Sequence, residues 1–156
     1  MDNHRIIVGV EGSGYAREAL IWAIKEAEIR KSLIEVVTVY CPTYAPASPD
    51  LGYVPLDSYD LLTEIENMQS DVIESALAAS NNPDVEIRRT LLKGRAADML
   101  LKVAKGADLL VVGNRGRGGF SGLRLGSVSQ SISHHSPCPL VIVRTGLNED
   151  PNSSDE

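Results

Sequence analysis

Arg5-Ile6-Ile7-Val8-Gly9-Val10 is followed by Ala16, Ala19, Leu20, Ala23, Ile24 and Ala27 at helical spacing, and then by Leu33-Ile34-Glu35-Val36-Val37-Thr38-Val39-Tyr40. Two β-branched runs around one apolar helical stripe read as strand, helix, strand, and the near-continuous apolar character suits strands covered on both faces. The same alternation continues along the chain. Leu61, Leu62, Ile65, Met68, Val72, Ile73 and Ala76 predict a long amphipathic helix that closes near Asn81-Asn82-Pro83. Val85 to Leu92 alternates apolar and polar residues as a half-buried strand. Ala96, Met99, Leu100, Val103 and Ala104 form a third helical stripe with Gly106 as a left-handed stop. Leu109 to Val112 is an apolar strand, a short helix runs from about Ser127 to His135, and Leu140 to Val143 is the last strand. Such alternation defines an α/β fold, a doubly wound parallel sheet with helices on both faces. Ligands of these sheets bind beyond the carboxyl ends of the strands where the winding reverses. The loops after the first and fourth strands are the places for such a site. The segment from Cys41 to Asp57, with four prolines, reads as a loop or lid.

The bulk properties narrow the function. A length of 156 residues suits a single domain, taken as 1–147, with the acidic stretch 148–156 as a disordered tail. A formal net charge of −6 argues against nucleic-acid binding, which needs a basic face. The apolar runs are too short to span a bilayer, and no basic region with an apolar core precedes the first strand, so the expected location is cytoplasmic and off the membrane. Cys41 and Cys138 have no paired spacing and read as plain thiols. His134 and His135 are consecutive, so they point to different sides of a helix, and no metal site is expected. No nucleophile elbow occurs and no carboxylate pair is placed for acid–base work, so no catalytic residue is assigned.

One loop concentrates the chemistry. From Gly113 to Ser127 the chain carries six of its 13 glycines, together with Arg115, Arg117 and Arg124, and no acid. Glycine lets backbone N–H groups approach an anion, and the following helix start offers free N–H groups and a partial positive charge. Ser127 with Gln130 three residues on has capping-box spacing. A P-loop is excluded because no Gly-Lys pair exists, and neither G-x-G pair continues into a dinucleotide fingerprint.

The spacing Gly113-x2-Gly116-x9-Gly126-Ser127 resembles the ATP-binding motif of the universal stress protein family. Ile7-Val8-Gly9-Val10-Glu11-Gly12-Ser13, Gly94, and Ser136-Pro137-Cys138-Pro139-Leu140-Val141 also fit, and the similarity covers about residues 4 to 144. The resemblance implies a Rossmann-like five-stranded sheet in the order 3-2-1-4-5. It implies ATP as ligand, with or without Mg. Val10 and Val39 would flank the adenine, Glu11 would face the ribose, and Gly113, Arg115 and Gly116 would line ribose and phosphates. Gly126, Ser127, Val128 and Ser129 would hold the triphosphate. Position 11 departs from the pattern, since the ATP-binding branch usually carries Asp there. The expected role is a stress-response or signalling module acting through nucleotide-dependent shape or partners. Its rivals are a slow ATP hydrolase and a nucleotide-free dimeric interaction domain. A homodimer through the last strand is implied as well, because its four apolar residues lack the charges that protect an edge.

Overall fold

The computed structural model describes residues 4–41, 44–48, 52–55, 59–115 and 125–145. In chain order the elements are β1 (Arg5–Gly9), α1 (Gly14–Arg30), β2 (Leu33–Tyr40), β3 (Tyr44–Ser48), β4 (Gly52–Pro55), α2 (Tyr59–Ala79), β5 (Ile87–Lys93), α3 (Ala96–Val103), β6 (Leu109–Gly113), α4 (Ser127–His135) and β7 (Leu140–Val143). Five strands pair in the order β5-β2-β1-β6-β7, and every pair is parallel. Counted along the main sheet alone, this is the expected order 3-2-1-4-5.

Side-chain alternation divides the core between the two faces of the sheet. Ile6, Val8 and Val10 of the first strand and turn join Ile34, Val36, Leu109 and Val111 beneath α1 and α2, which contribute Leu20, Ile24, Ile73 and Ala76. The residues between them, Ile7, Val37, Leu110 and Val112, meet Leu100 and Ala104 on and just after α3, and Ile132 of α4. Gly9 is small because α3 lies close, a Cβ there coming 3.1 Å from Leu100.

The helix ends are specified locally. Ser13 caps α1 by accepting from the Ala16 N–H at 3.2 Å. Lys31 closes it in the left-handed region at φ 55°. Asn81 and Asn82 take positive φ after α2, as the Asn-Asn-Pro signal predicts, and Gly106 follows α3 at φ 75°. At the amino end of the sheet, Arg5 donates to the Glu35 carboxylate at 3.1 Å and to the Val103 and Lys105 carbonyls at the end of α3. Glu35 also accepts from the Thr90 hydroxyl at 2.7 Å, so this buried acid is satisfied from both sides.

Two expectations are corrected. The Cys41–Asp57 segment is not merely a loop, since β3 and β4 pair antiparallel from Tyr44↔Pro55 to Ser48↔Gly52, with an irregularity between Pro46 and Ser48. A two-stranded ribbon has two free edges, which is where proline is tolerated in sheets. The third sheet strand also starts later than Val85, at Ile87.

Candidate nucleotide site at the carboxyl edge of the sheet

β1 and β6 are neighbours in the sheet, yet the chain leaves β1 for α1 on one face and β6 for α4 on the other. The winding therefore reverses between them, and the turn after β1 and the loop after β6 flank a crevice at the carboxyl edge.

The β1 side of this crevice is tightly bonded. Val10 N–H donates to Val37 O at 2.9 Å, and the Thr38 hydroxyl donates to Val10 O at 2.8 Å. Gly12 turns the chain at φ 91°, a conformation that favours glycine. The Glu11 carboxylate accepts from the Ser13 hydroxyl, the same hydroxyl that caps α1. Glu11 is thus tied to the start of the helix while still half-exposed.

The β6 side is closed by the Asn114 carbonyl. It accepts from Gly126 N–H at 2.7 Å and from the Ser129 hydroxyl at 3.0 Å, while Asn114 N–H donates to Val143 O at 2.9 Å. The loop thus returns to its starting point, and α4 begins beside the end of β6. Gly126, not Ser127, is the N-cap, with φ −74° and ψ 170°. The expected capping box is accordingly absent, and the Gln130 N–H donates to Gly126 O instead. A glycine cap has no side-chain acceptor to offer the first-turn N–H groups, which keeps that helix end receptive to an anion.

Several expected residues come together here and others do not. Glu11, Gly113, Arg115, Gly126, Ser127, Val128 and Ser129 all belong to the two segments that flank the crevice. Ser127 is exposed on the first turn of α4. Val128 packs into the core under α3 and α4, and the Ser129 hydroxyl is turned inward to Asn114 O and Gly126 O. Those two residues therefore offer a ligand their backbone rather than their side chains. Val10 and Val39 pack against opposite faces of the sheet, so their side chains do not form the two walls of one slot. Gly113 is required for a reason the sequence did not show: an added Cβ would lie 2.8 Å from the Tyr15 carbonyl oxygen. Gly116, Arg117 and Arg124 lie outside the described residues.

Two polar atoms near the ends of β6 and β7, Arg115 Nε and Thr145 Oγ1, are buried and have no hydrogen-bond partner among the described residues. An unpaired guanidinium nitrogen on the residue after Asn114, whose carbonyl holds the N-cap of α4, is chemically suited to an anionic ligand. Among the described residues no three His, Cys, Asp or Glu side chains converge as metal ligands, and no helix is long and apolar enough to cross a membrane.

A sheet of this order with a glycine-capped helix at its switch point defines a small, doubly wound α/β protein. The sequence matches the profile of the universal stress protein family over residues 2–144, and the chain belongs to that family. A universal stress protein of Thermus aquaticus is 34% identical over 141 residues, spanning 89% of this chain and 97% of that protein. One of Mycobacterium tuberculosis is 30% identical over 146 residues, spanning 94% of this chain. The chain covers 45% of that relative's length, about half. Among solved structures, the universal stress protein UspA from Lactobacillus plantarum superposes with a TM-score of 0.72 over 92% of this chain and 99% of that one, at 20% identity. A universal stress protein in complex with cAMP reaches 0.64 over 90% and 96%, at 26% identity.

Proposed function

We propose that this protein binds an adenine nucleotide, ATP by preference, in the crevice between the β1–α1 turn and the β6–α4 loop. The bound nucleotide sets its shape or partners in stress-response signalling. The observation that carries this reading is the glycine-capped start of α4 brought back to the end of β6 by the Gly126–Asn114 hydrogen bond. That arrangement presents first-turn N–H groups and the helix dipole at the end of β6, where Arg115 follows Asn114 in the chain. The 26% identical relative whose structure holds cAMP supports an adenine ring as part of the ligand. Mg would enter with the triphosphate, coordinated mainly by phosphate oxygens.

In this reading Glu11 meets the ribose, while Gly113, Arg115 and Gly116 line ribose and phosphates. Gly126 through Ser129 hold the phosphate chain through backbone N–H groups, with the Ser127 hydroxyl added. Val10 and Val39 would border the adenine through their backbones. The reading also carries the cytoplasm as compartment, where ATP is made and the free thiols of Cys41 and Cys138 stay reduced. A homodimer through β7 completes it.

Mass spectrometry of the supernatant from gently purified, then denatured, protein tests the proposal, with calorimetric titration by ATP, ADP, AMP and cAMP beside it. An adenine nucleotide in the supernatant and micromolar or tighter affinity are expected. No nucleotide, and no heat with any of the four, would overturn it.

A further inference from the structure

Gln69 is a polar residue on the apolar stripe of α2, between Ile65 and Ile73, and it is 1% exposed, so its amide must find partners inside the protein. Its amide nitrogen, with two N–H groups to donate, has three acceptors in reach, Thr38 Oγ1 at 3.1 Å being the nearest, Val36 O at 3.2 Å and Thr90 O at 3.3 Å. Its carbonyl accepts from Arg89 Nε at 3.2 Å, and Arg89 Nη2 donates to Glu66 O at 2.7 Å. The hydroxyl of Thr38, itself 3% exposed, donates in turn to Val10 O at 2.8 Å. Every donor in the series Arg89, Gln69, Thr38 points the same way, toward Val10. A cation at the head of such a series polarises each bond after it. The series begins in an open groove between α2 and β5, lined by Glu66, Asn67, Ser70 and Leu91 beside Gln69 and Arg89.

The far end is the peptide joining Val10 to Glu11. The described backbone has no cis bond, so the Glu11 N–H lies anti to the Val10 carbonyl. That carbonyl is directed at Thr38 on β2, and the Glu11 N–H is therefore directed to the β6 side, where the crevice opens. A bond accepted at the carbonyl deepens the polarisation of the whole amide and makes its N–H a better donor. Val10 N–H, bonded to Val37 O, fixes the same residue from its other side.

We propose that Thr38 and Gln69 are positioning residues for the crevice: they hold and polarise the Val10–Glu11 peptide so that its N–H faces an acceptor oxygen of the ligand. The identity of that ligand rests on the nucleotide reading above, whereas the ordering of the turn does not.

Thr38→Val removes the last donor with little change of shape, and Thr38→Ser keeps it. Amide hydrogen exchange over residues 10–13 is read without ligand, and ATP affinity is read by calorimetry, both on the full chain. Thr38→Val should speed exchange in the turn about tenfold and weaken ATP roughly three- to tenfold, the worth of one net hydrogen bond. Thr38→Ser should restore both, a rescue that packing alone would not give. Unchanged exchange in Thr38→Val, or a serine variant as impaired as valine, overturns the proposal. Should Thr38→Val fail to fold, the exposed change Arg89→Met removes the charged head and must move exchange in the same direction, and no movement overturns it. If wild-type protein shows no affinity for ATP, the nucleotide reading falls while the exchange data still decide the positioning role.

Discussion

A Cβ placed on Gly113 would stand 2.8 Å from the carbonyl oxygen of Tyr15, so the end of β6 and the first turn of α1 meet backbone to backbone. The neighbour is main chain, which cannot swing aside as a side chain could. Gly113→Ala should therefore lower stability by about 1–3 kcal/mol through displacement of α1, along with any loss of ligand. Gly126 differs, because φ −74° and ψ 170° suit any residue. Gly126→Ala should cost at most about 1 kcal/mol at the cap yet abolish nucleotide binding if phosphate approaches there. Urea denaturation of both variants beside ATP titration checks the contrast. Equal affinity in Gly126→Ala and wild type would remove α4 from the site.

Glu11→Asp should tighten ATP binding or leave it unchanged. The shorter carboxylate restores the residue usual in the ATP-binding branch of the family, and a hydrogen bond to a charged group allows a gain of about tenfold. Calorimetry decides. A large loss would show that the turn, in which the Glu11 carboxylate accepts from Ser13, is adapted to the longer acid.

Asp108 carries a pH-dependent part of the stability. Its carboxylate accepts from the Arg5 backbone N–H at 2.7 Å and from His4 Nδ1 at 3.1 Å, contacts that hold its pKa below the ordinary 3.8. A depressed native pKa means that the contribution is complete above 3.8 and is lost as pH falls through the lowered value. Asp108→Asn should thus be less stable than wild type near neutrality, and the gap should narrow in acid. Denaturation curves at about pH 7 and about pH 3 test the sign. A gap that widens in acid would contradict it.

Lys31 closes α1 at φ 55° and ψ 44°, where an L side chain is strained. Lys31→Gly should raise stability by roughly 1 kcal/mol, or about 2–4 °C in Tm for a domain of this size. An unchanged or lower melting temperature would mean that the lysine side chain gives back what its backbone costs.

The β7 edge makes the dimer testable. The carbonyls of Pro139 and Val143 accept from β6, so the N–H and C=O groups of Leu140 and Ile142 face away from the sheet. A two-fold partner would pair with those groups. Light scattering should give a dimeric mass for the intact protein and a monomeric one for Ile142→Lys and Ile142→Pro. A monomeric intact protein at micromolar concentration removes the dimer.

Much of this architecture was legible because buried parallel strands are written as uninterrupted apolar runs, as in Ile6–Val8 and Leu109–Val112. What stayed hidden depended on register. Val10 and Val39 look equivalent as apolar residues at strand ends, but Gly9↔Val37 pairing sets Val10 level with Thr38, and one residue further along the strand is the other face. The Ser127–Gln130 spacing could not separate a cap from a first helical residue. Gln69 stands on the apolar stripe, with Ile65, Val72, Ile73 and Ala76 at i−4, i+3, i+4 and i+7, so its inward position was open to reading, but its partners on β2 and β5 were not.

The pairing of β1 with β6 has a consequence for how the protein is made. Ile6, Ile7 and Val8 take their partners from Leu109, Leu110 and Val111. On a ribosome, β1, α1 and β2 can associate early, but one long side of the central strand stays bare until the last third of the chain emerges. The crevice has no second wall before that moment. Capture of the proposed nucleotide would therefore require a chain translated past β6, and a translation product stalled before β6 would leave Ile6 and Val8 as a sticky template.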